Sequence, residues 1–336
     1  MGDGRAARLL RSAEGVAYWG VVAPVLARMP AALGYRIACW RGDRLYRSHA
    51  SKRANTERHL RLFLGGGLGR VAARQAARDW FRFASCEAVD VARLRHRARP
   101  LRRLVKIEGR EHLEAALADG KGAILCCAHF GSYNSALSVL HASGVPVTTI
   151  GRWQHKYTAG MSAFERRFWD WVVARRVRRH RQRPMIEPWP GRVEVAALAA
   201  SALRANEVVT ISIDAPPLDS DKARAVDVRF LGHQARLMPG IVTLARLTGA
   251  PVLMCSVYRS ADYRHQVLEI SDPVPMAGDT ATAFGRCVAG VSAAIRRSPA
   301  SWVYWPSPLD LDNLGMLSPG PDIAPARVPA LVAVGA

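Results

Sequence analysis

Residues 123–142 read AILCCAHFGSYNSALSVLHA. An apolar, β-compatible run ends at His129, a Gly-Ser turn comes next, and a helix-like stretch begins. Strand, turn and helix in that order form the unit of an alternating α/β chain, whose ligands collect beyond the C-terminal ends of the strands. His129 falls at such an end. Gly131 permits a tight turn, and Ser132 suits the N-cap of a helix running to about residue 142. Amides at a helix start stabilise developing negative charge. A histidine base beside them is the minimum equipment for acyl transfer.

The same alternation extends outward from residue 104. Strands are expected at 104–109, 123–129, 145–150, 208–214, 225–231, 252–258 and 265–270. Helices are expected at 111–118, 132–142, 160–178, 192–205, 239–248 and 280–297. This pattern predicts an α/β fold with a mixed central β-sheet flanked by helices. Residues before about 100 read as helical and arginine-rich. Gly67-x-Gly69-x-x-Ala72 matches a dinucleotide fingerprint on paper. The residues after Ala72 read as helix, with no strand carrying an acid, so a loop before a helix is the better reading. The expected organisation is an N-terminal segment over 1–45, a main domain over 46–314 and a Pro/Ala/Gly-rich tail over 315–336, without internal repeats.

Hydrophobic content of 49% with 22% charged residues describes a globular chain. Its 48 basic residues far outnumber its 27 acidic ones, and only Lys52, Lys106, Lys121, Lys156 and Lys222 are lysines. Arginine in such excess points to anionic partners: phosphate, acidic lipid head groups or nucleic acid. Six cysteines, without a C-x-x-C pair and mostly within apolar runs, read as buried reduced thiols. Cys127 lies on the same side of an extended strand as His129. A Cys–His nucleophile pair is therefore an alternative to a small buried thiol.

Near the N-terminus, Arg5, Arg8 and Arg11 precede GVAYWGVVAPVLARMPAALGYRIACW, residues 15–40. Pro24, Arg28 and Pro30 interrupt this stretch, and its clean run Val16–Ala27 falls short of the about 20 apolar residues that span a bilayer. A membrane-surface or shallowly inserted helix is the preferred reading, with Tyr18, Trp19 and Trp40 at the interface. A buried core helix and a cleaved signal are the alternatives. The stretch FERRFWDWVVARRVRRHRQR, residues 164–183, sets aromatic residues before a run of arginines. It also suits a membrane surface, against a solvated charge face or a nucleic-acid site. No helix-turn-helix, zinc-finger or RNP pattern supports nucleic acid.

The segments taken together resemble the late acyltransferases of lipid A biosynthesis, in the lysophospholipid acyltransferase superfamily. That family carries H-x4-[DE], commonly H-F-G-N-W-E, where this chain reads His129-Phe130-Gly131-Ser132-Tyr133-Asn134. Arg152 falls where the family has an arginine some twenty-odd residues after the histidine. ISIDAPP, ending its strand at Asp214, also agrees, and RFLGHQARLMPGIVTLARLTGAPVLMCSVY, residues 229–258, matches the family's F-F-G-x-x-A…P-G-x-x-x-L-A…T-G-A-P-V order. The resemblance covers roughly residues 15 to 305. It implies transfer of a fatty acyl chain from an acyl carrier protein or coenzyme A thioester to a lipid hydroxyl, at the cytoplasmic face of a bacterial inner membrane. His129 would be the base, with no cofactor beyond the thioester and no metal. Gly131, Ser132, Arg152, Gly232, His233 and Arg236 would contact substrate, the two arginines through phosphate.

The departure is Asn134. Five steps turn a regular helix through about 500°, so residue 134 reaches the ring only because His129 precedes the helix. An asparagine there accepts a hydrogen bond but supplies no charge, a change that costs about 10⁴ in a serine protease. Three outcomes are open. Another carboxylate, Asp214 or Glu187, serves the ring; or the acceptor is an amine or thiol that gives up its proton more easily; or the site binds lipid without turning it over. A satisfied core histidine is the plain alternative for His129.

Overall fold

The computed structural model describes residues 13–65, 68–94, 99–151, 167–168, 171, 185–187, 194–217 and 223–316. β2 (Ala123–Cys127) is the centre of the architecture, and its five residues are all buried. Alternate side chains enter two different cores: Ile124 and Cys126 one, Ala123, Leu125 and Cys127 the other. A strand buried on both faces reads as a continuous apolar run, as this one does.

β2 lies between β4 (Val208–Ser212) and β7 (Val252–Arg259), parallel to both. β3 (Val147–Ile150) continues the sheet beyond β4 in parallel. On the other side β8 (Gln266–Pro273) pairs antiparallel with β7, and β1 (Val105–Glu108) closes the sheet in parallel with β8. The order is β1-β8-β7-β2-β4-β3, a mixed six-stranded sheet. β5 (Val226–Phe230) and β6 (His233–Leu237) form a separate antiparallel hairpin. β5 is expected from the alternating strand pattern; β6 is not, because its HQARL mixes polar and apolar residues over only five positions.

The helices Arg110–Ala118 and Tyr133–Ala142 cover one face through Leu113, Ala116, Leu137 and Leu140. Glu194–Arg204, Gly240–Thr248 and Thr280–Arg297 cover the other through Leu203, Val242 and Phe284. The expected helix at 160–178 lies almost wholly outside the described residues, as does the tail beyond 316.

The N-terminal apolar stretch is helical but broken. A π-turn over Tyr18–Val22 runs into Ala23–Leu26; Pro30 then separates these from an 18-residue helix, Ala31–Ser48. Among the described residues no helix is long and apolar enough to cross a membrane. Ala31–Ser48 packs through Gly34, Tyr35, Ala38 and Gly42 on the 24-residue helix Arg70–Arg93. Tyr18, expected at an interface, is instead buried, and its hydroxyl donates to the Ser85 carbonyl at 2.7 Å. Trp40 is 60% exposed.

Candidate active site

The register between β2 and β4 brings two distant residues together. The pairing runs from Ala123↔Val208 to Cys127↔Ser212, and the Ile213 amide donates to the Cys127 carbonyl at 3.0 Å just past the strand end. Two residues farther on, His129 stands beside Asp214. Asp214 Oδ1 lies 2.7 Å from His129 Nδ1, and Asp214 Oδ2 accepts the His129 main-chain N–H at 2.8 Å. Trp302 Nε1 donates to the same Oδ2 at 2.9 Å. The Asp214 side chain is fully buried, and burying a carboxylate costs several kcal/mol unless donors replace water. Three N–H groups do so here.

A carboxylate only accepts, so His129 Nδ1 carries the proton and Nε2 the lone pair. The ring is not sealed in the core: its side chain is 15% exposed. Tyr133 and Tyr304 flank it edge-on, with centroids at 5.7 and 5.5 Å, and Tyr304 Oη approaches Nδ1 at 3.5 Å. These contacts fix the plane of the imidazole and leave it accessible.

The turn after His129 is held by residues from the far end of the chain. The Val303 amide donates to the His129 carbonyl at 3.1 Å, and the Gly131 amide donates to the Ser301 carbonyl at 2.9 Å. Phe130 and Trp302 form an antiparallel bridge between these two bonds. Gly131 adopts φ +64°, and a Cβ there would lie 2.1 Å from the Val257 carbonyl oxygen. Both the left-handed backbone and the close approach demand glycine.

Ser132 takes the expected N-cap position, but its hydroxyl is used elsewhere. Its side chain makes no cap hydrogen bond to the Tyr133–Ala142 helix. Its Oγ donates instead to Asp90 Oδ2 at 2.8 Å and accepts from Arg259 Nη2 at 2.7 Å. Arg259 also pairs directly with Asp90, and Tyr35 donates to Asp90 Oδ1 at 2.6 Å. The buried array therefore ties the turn after His129 to the Arg70–Arg93 helix, to the end of β7 and to the N-terminal Ala31–Ser48 helix. A buried ion pair of this kind needs further hydrogen bonds to offset its desolvation, and Ser132 and Tyr35 supply them.

The other expected site residues are spread more widely. Asn134 is in the first turn of the Tyr133–Ala142 helix, where its main-chain carbonyl accepts from Ser138 Oγ at 2.7 Å. Gly232, at φ +91°, forms the β5–β6 turn. His233 Nε2 lies 3.2 Å from the Leu62 carbonyl and its ring 4.9 Å from that of Phe63; burial holds it below the ordinary imidazole range. Arg236 pairs with Asp227 across the hairpin at 3.2 Å. Glu187 comes directly after Ile186, which bridges to Ile150 at the end of β3. Arg152 lies outside the described residues. Cys127 is buried, and the neighbouring Cys255 thiol and desolvation raise it well above the ordinary thiol range, which disfavours a thiolate there.

Trp302, Tyr304, Asp90 and Arg259 escaped the sequence reading. Trp302 and Tyr304 alternate in SWVYW, residues 301–305, a period-2 aromatic pattern that signals an extended segment with one buried face. Asp90 and Arg259 gave no local signal. They are distinguished only by burial in contact with each other.

A family model described as bacterial lipid A biosynthesis acyltransferase matches residues 7–306. No curated protein matches the chain. The match spans the broken N-terminal helices, the sheet, the His129–Asp214 junction and the aromatic segment that closes over it, so this chain belongs to the bacterial lipid A biosynthesis acyltransferase family.

Proposed function

We propose that the protein transfers a fatty acyl group from an acyl carrier protein or coenzyme A thioester to a hydroxyl or amine of a lipid or other amphiphilic acceptor, with His129 as general base and Asp214 as its partner. The carboxylate at Nδ1, 2.7 Å away, carries this reading. His129 Nε2 takes the acceptor proton as the acceptor attacks the thioester carbonyl. Asp214 stabilises the imidazolium that results. Collapse of the tetrahedral intermediate breaks the C–S bond, and the imidazolium returns the proton to the thiolate. The positive end of the Tyr133–Ala142 helix dipole favours the oxyanion. On this reading Asn134 leaves the base served, because the charge comes from Asp214. Gly131 and Ser132 shape the turn, and Arg152 and Arg236 are proposed phosphate contacts of the substrates.

We further propose that the reaction takes place at a membrane surface, on the cytoplasmic side of a bacterial inner membrane. Leu33, Arg36, Trp40, Arg44 and Arg47 are exposed on one face of the Ala31–Ser48 helix. A tryptophan among arginines suits the interface of an anionic bilayer. The test is incubation of the protein with a long-chain acyl thioester and a membrane extract, alongside His129→Ala. Acylated lipid from the native chain alone supports the assignment; equal product from both removes His129 as the base.

A further inference from the structure

Cys39, on the Ala31–Ser48 helix, and Cys86, on the Arg70–Arg93 helix, place their sulfurs 3.6 Å apart. The two helices run antiparallel, with Tyr35 against Asp90 and Gly42 against Arg82 on either side of the cysteine pair. A Cβ on Gly42 would lie 2.5 Å from the Arg82 Cα, so the backbones themselves meet there. One helical turn away, the gap that Cys39 and Cys86 span is correspondingly narrow.

The two thiols are chemically unequal. Cys39 is partly exposed and Cys86 is buried. A hydrogen bond from the Cys86 thiol, aided by the positive charges of Arg82 and Arg259, holds Cys39 below the ordinary thiol range. Burial drives Cys86 well above it. The partly exposed thiol, Cys39, is thus the one of the pair that a small oxidant reaches. Cys126, Cys127, Cys255 and Cys287 also lie close in pairs, Cys126 by Cys287 and Cys127 by Cys255. These four are sealed in the cores on the two faces of the sheet.

We propose that Cys39 and Cys86 are an oxidisable dithiol that hydrogen peroxide converts into an inter-helix disulfide, while the other four cysteines stay as thiols. The Cys39 thiolate attacks one peroxide oxygen. The O–O bond breaks, the departing hydroxide is protonated to water, and Cys39 becomes a sulfenic acid. The Cys86 sulfur then attacks the Cys39 sulfur. The S–O bond breaks, and hydroxide leaves with the Cys86 proton as a second water. Two thiols lose two electrons in all, and the peroxide gains them. Closure requires the sulfurs to approach from 3.6 Å to about 2 Å, within reach of side-chain rotation across so close a helix pair. The bond would lock the helix bearing Leu33 and Trp40 to the helix whose Asp90 holds Ser132.

The full-length protein is treated with a modest excess of hydrogen peroxide, remaining thiols are capped with N-ethylmaleimide under denaturing conditions, and peptides are mapped by mass spectrometry. The expected product is one cross-linked peptide pair through Cys39 and Cys86, with four capped cysteines, reverting to six with dithiothreitol. Cys86→Ser is expected to leave Cys39 as a sulfenic acid trapped by dimedone. The unmodified chain alone decides the matter if that variant does not fold. Over-oxidation of Cys39 with Cys86 still capped, a link through any of the other four cysteines, or six capped thiols at peroxide levels that oxidise free glutathione would each overturn the proposal. None of these outcomes depends on the acyl-transfer reading.

Discussion

Asp214 holds His129 at two points, ring Nδ1 at 2.7 Å and main-chain N–H at 2.8 Å, so one carboxylate sets both the tautomer of the base and the start of its turn. An amide cannot do both. In Asp214→Asn, an oxygen turned to Nδ1 leaves the amide NH₂ facing the His129 N–H and Trp302 Nε1–H, donor against donor. The reverse orientation sets NH₂ against Nδ1 and forces the wrong tautomer. The expected loss in kcat is about 10³–10⁴, with little change in KM for the thioester. Asn134→Glu is expected to change the rate less than about tenfold, since the ring already has its charge. Steady-state thioester consumption compares the two. A wild-type rate in Asp214→Asn would remove Asp214 from the mechanism.

The Asp90–Arg259 pair is expected to govern stability more than chemistry. Arg259→Met leaves a buried carboxylate facing only the Ser132 and Tyr35 hydroxyls, at a cost of about 3–5 kcal/mol. The double variant Asp90→Asn/Arg259→Met removes both charges and is expected to recover most of that loss. Urea unfolding of the single and double variants measures the coupling. Additive losses would mean that the two side chains are energetically independent despite their contact.

Local sequence encodes only part of this geometry. β2 was legible because a strand buried on both faces is apolar throughout, and the Tyr133–Ala142 helix because apolar residues recur along it. Asp214 was visible as a residue ending a strand. That it faces His129 depends on β2 and β4 being parallel neighbours in one register, although β3 and its connections intervene in sequence. No local pattern encodes such a pairing. Ser132 misled for the opposite reason: its local context is that of an N-cap, but a buried carboxylate from residue 90 competes for its hydroxyl and wins. The short, half-exposed β6 strand lacks the hydrophobic contrast that periodicity requires, and Trp302 acts on Asp214 from 88 residues away.

Glu87 gives stability a pH dependence of predictable sign. Burial, reinforced by the charge of Asp90 and opposed by that of Arg259, pushes its carboxyl up to about 7 from an ordinary value of 4.5. A carboxyl raised in the folded state contributes its full stability below about 4.5, where it is protonated both folded and unfolded. That contribution is lost as pH rises through about 7, because the unfolded chain ionises first. Glu87 is half-buried, so the loss is expected to be on the order of 1–3 kcal/mol after allowance for solvent screening. Glu87→Gln should therefore match the native chain near pH 4.5 and exceed it at pH 8, as read by unfolding midpoints at both. Parallel pH curves for the two proteins would contradict the assignment.

The exposed face of the Ala31–Ser48 helix predicts two separable contributions to membrane binding. Arg36, Arg44 and Arg47 repeat there with Leu33 and Trp40 beside them, and Asp43, the one acidic residue of the helix, is taken up by Arg78 and Arg82. Each arginine near an anionic surface contributes about 1 kcal/mol, so replacing all three with glutamine should weaken binding to phosphatidylglycerol vesicles about a hundredfold at low salt. That loss should shrink as salt rises, because the charges act through a screened field. Trp40→Ser removes apolar contact instead, and its loss should persist at high salt. Cosedimentation across a salt series distinguishes the two. If both variants bind as the native chain does, the helix does not meet the bilayer through this face, and the arginine-rich stretch between residues 164 and 183 becomes the next sequence to test by the same substitutions.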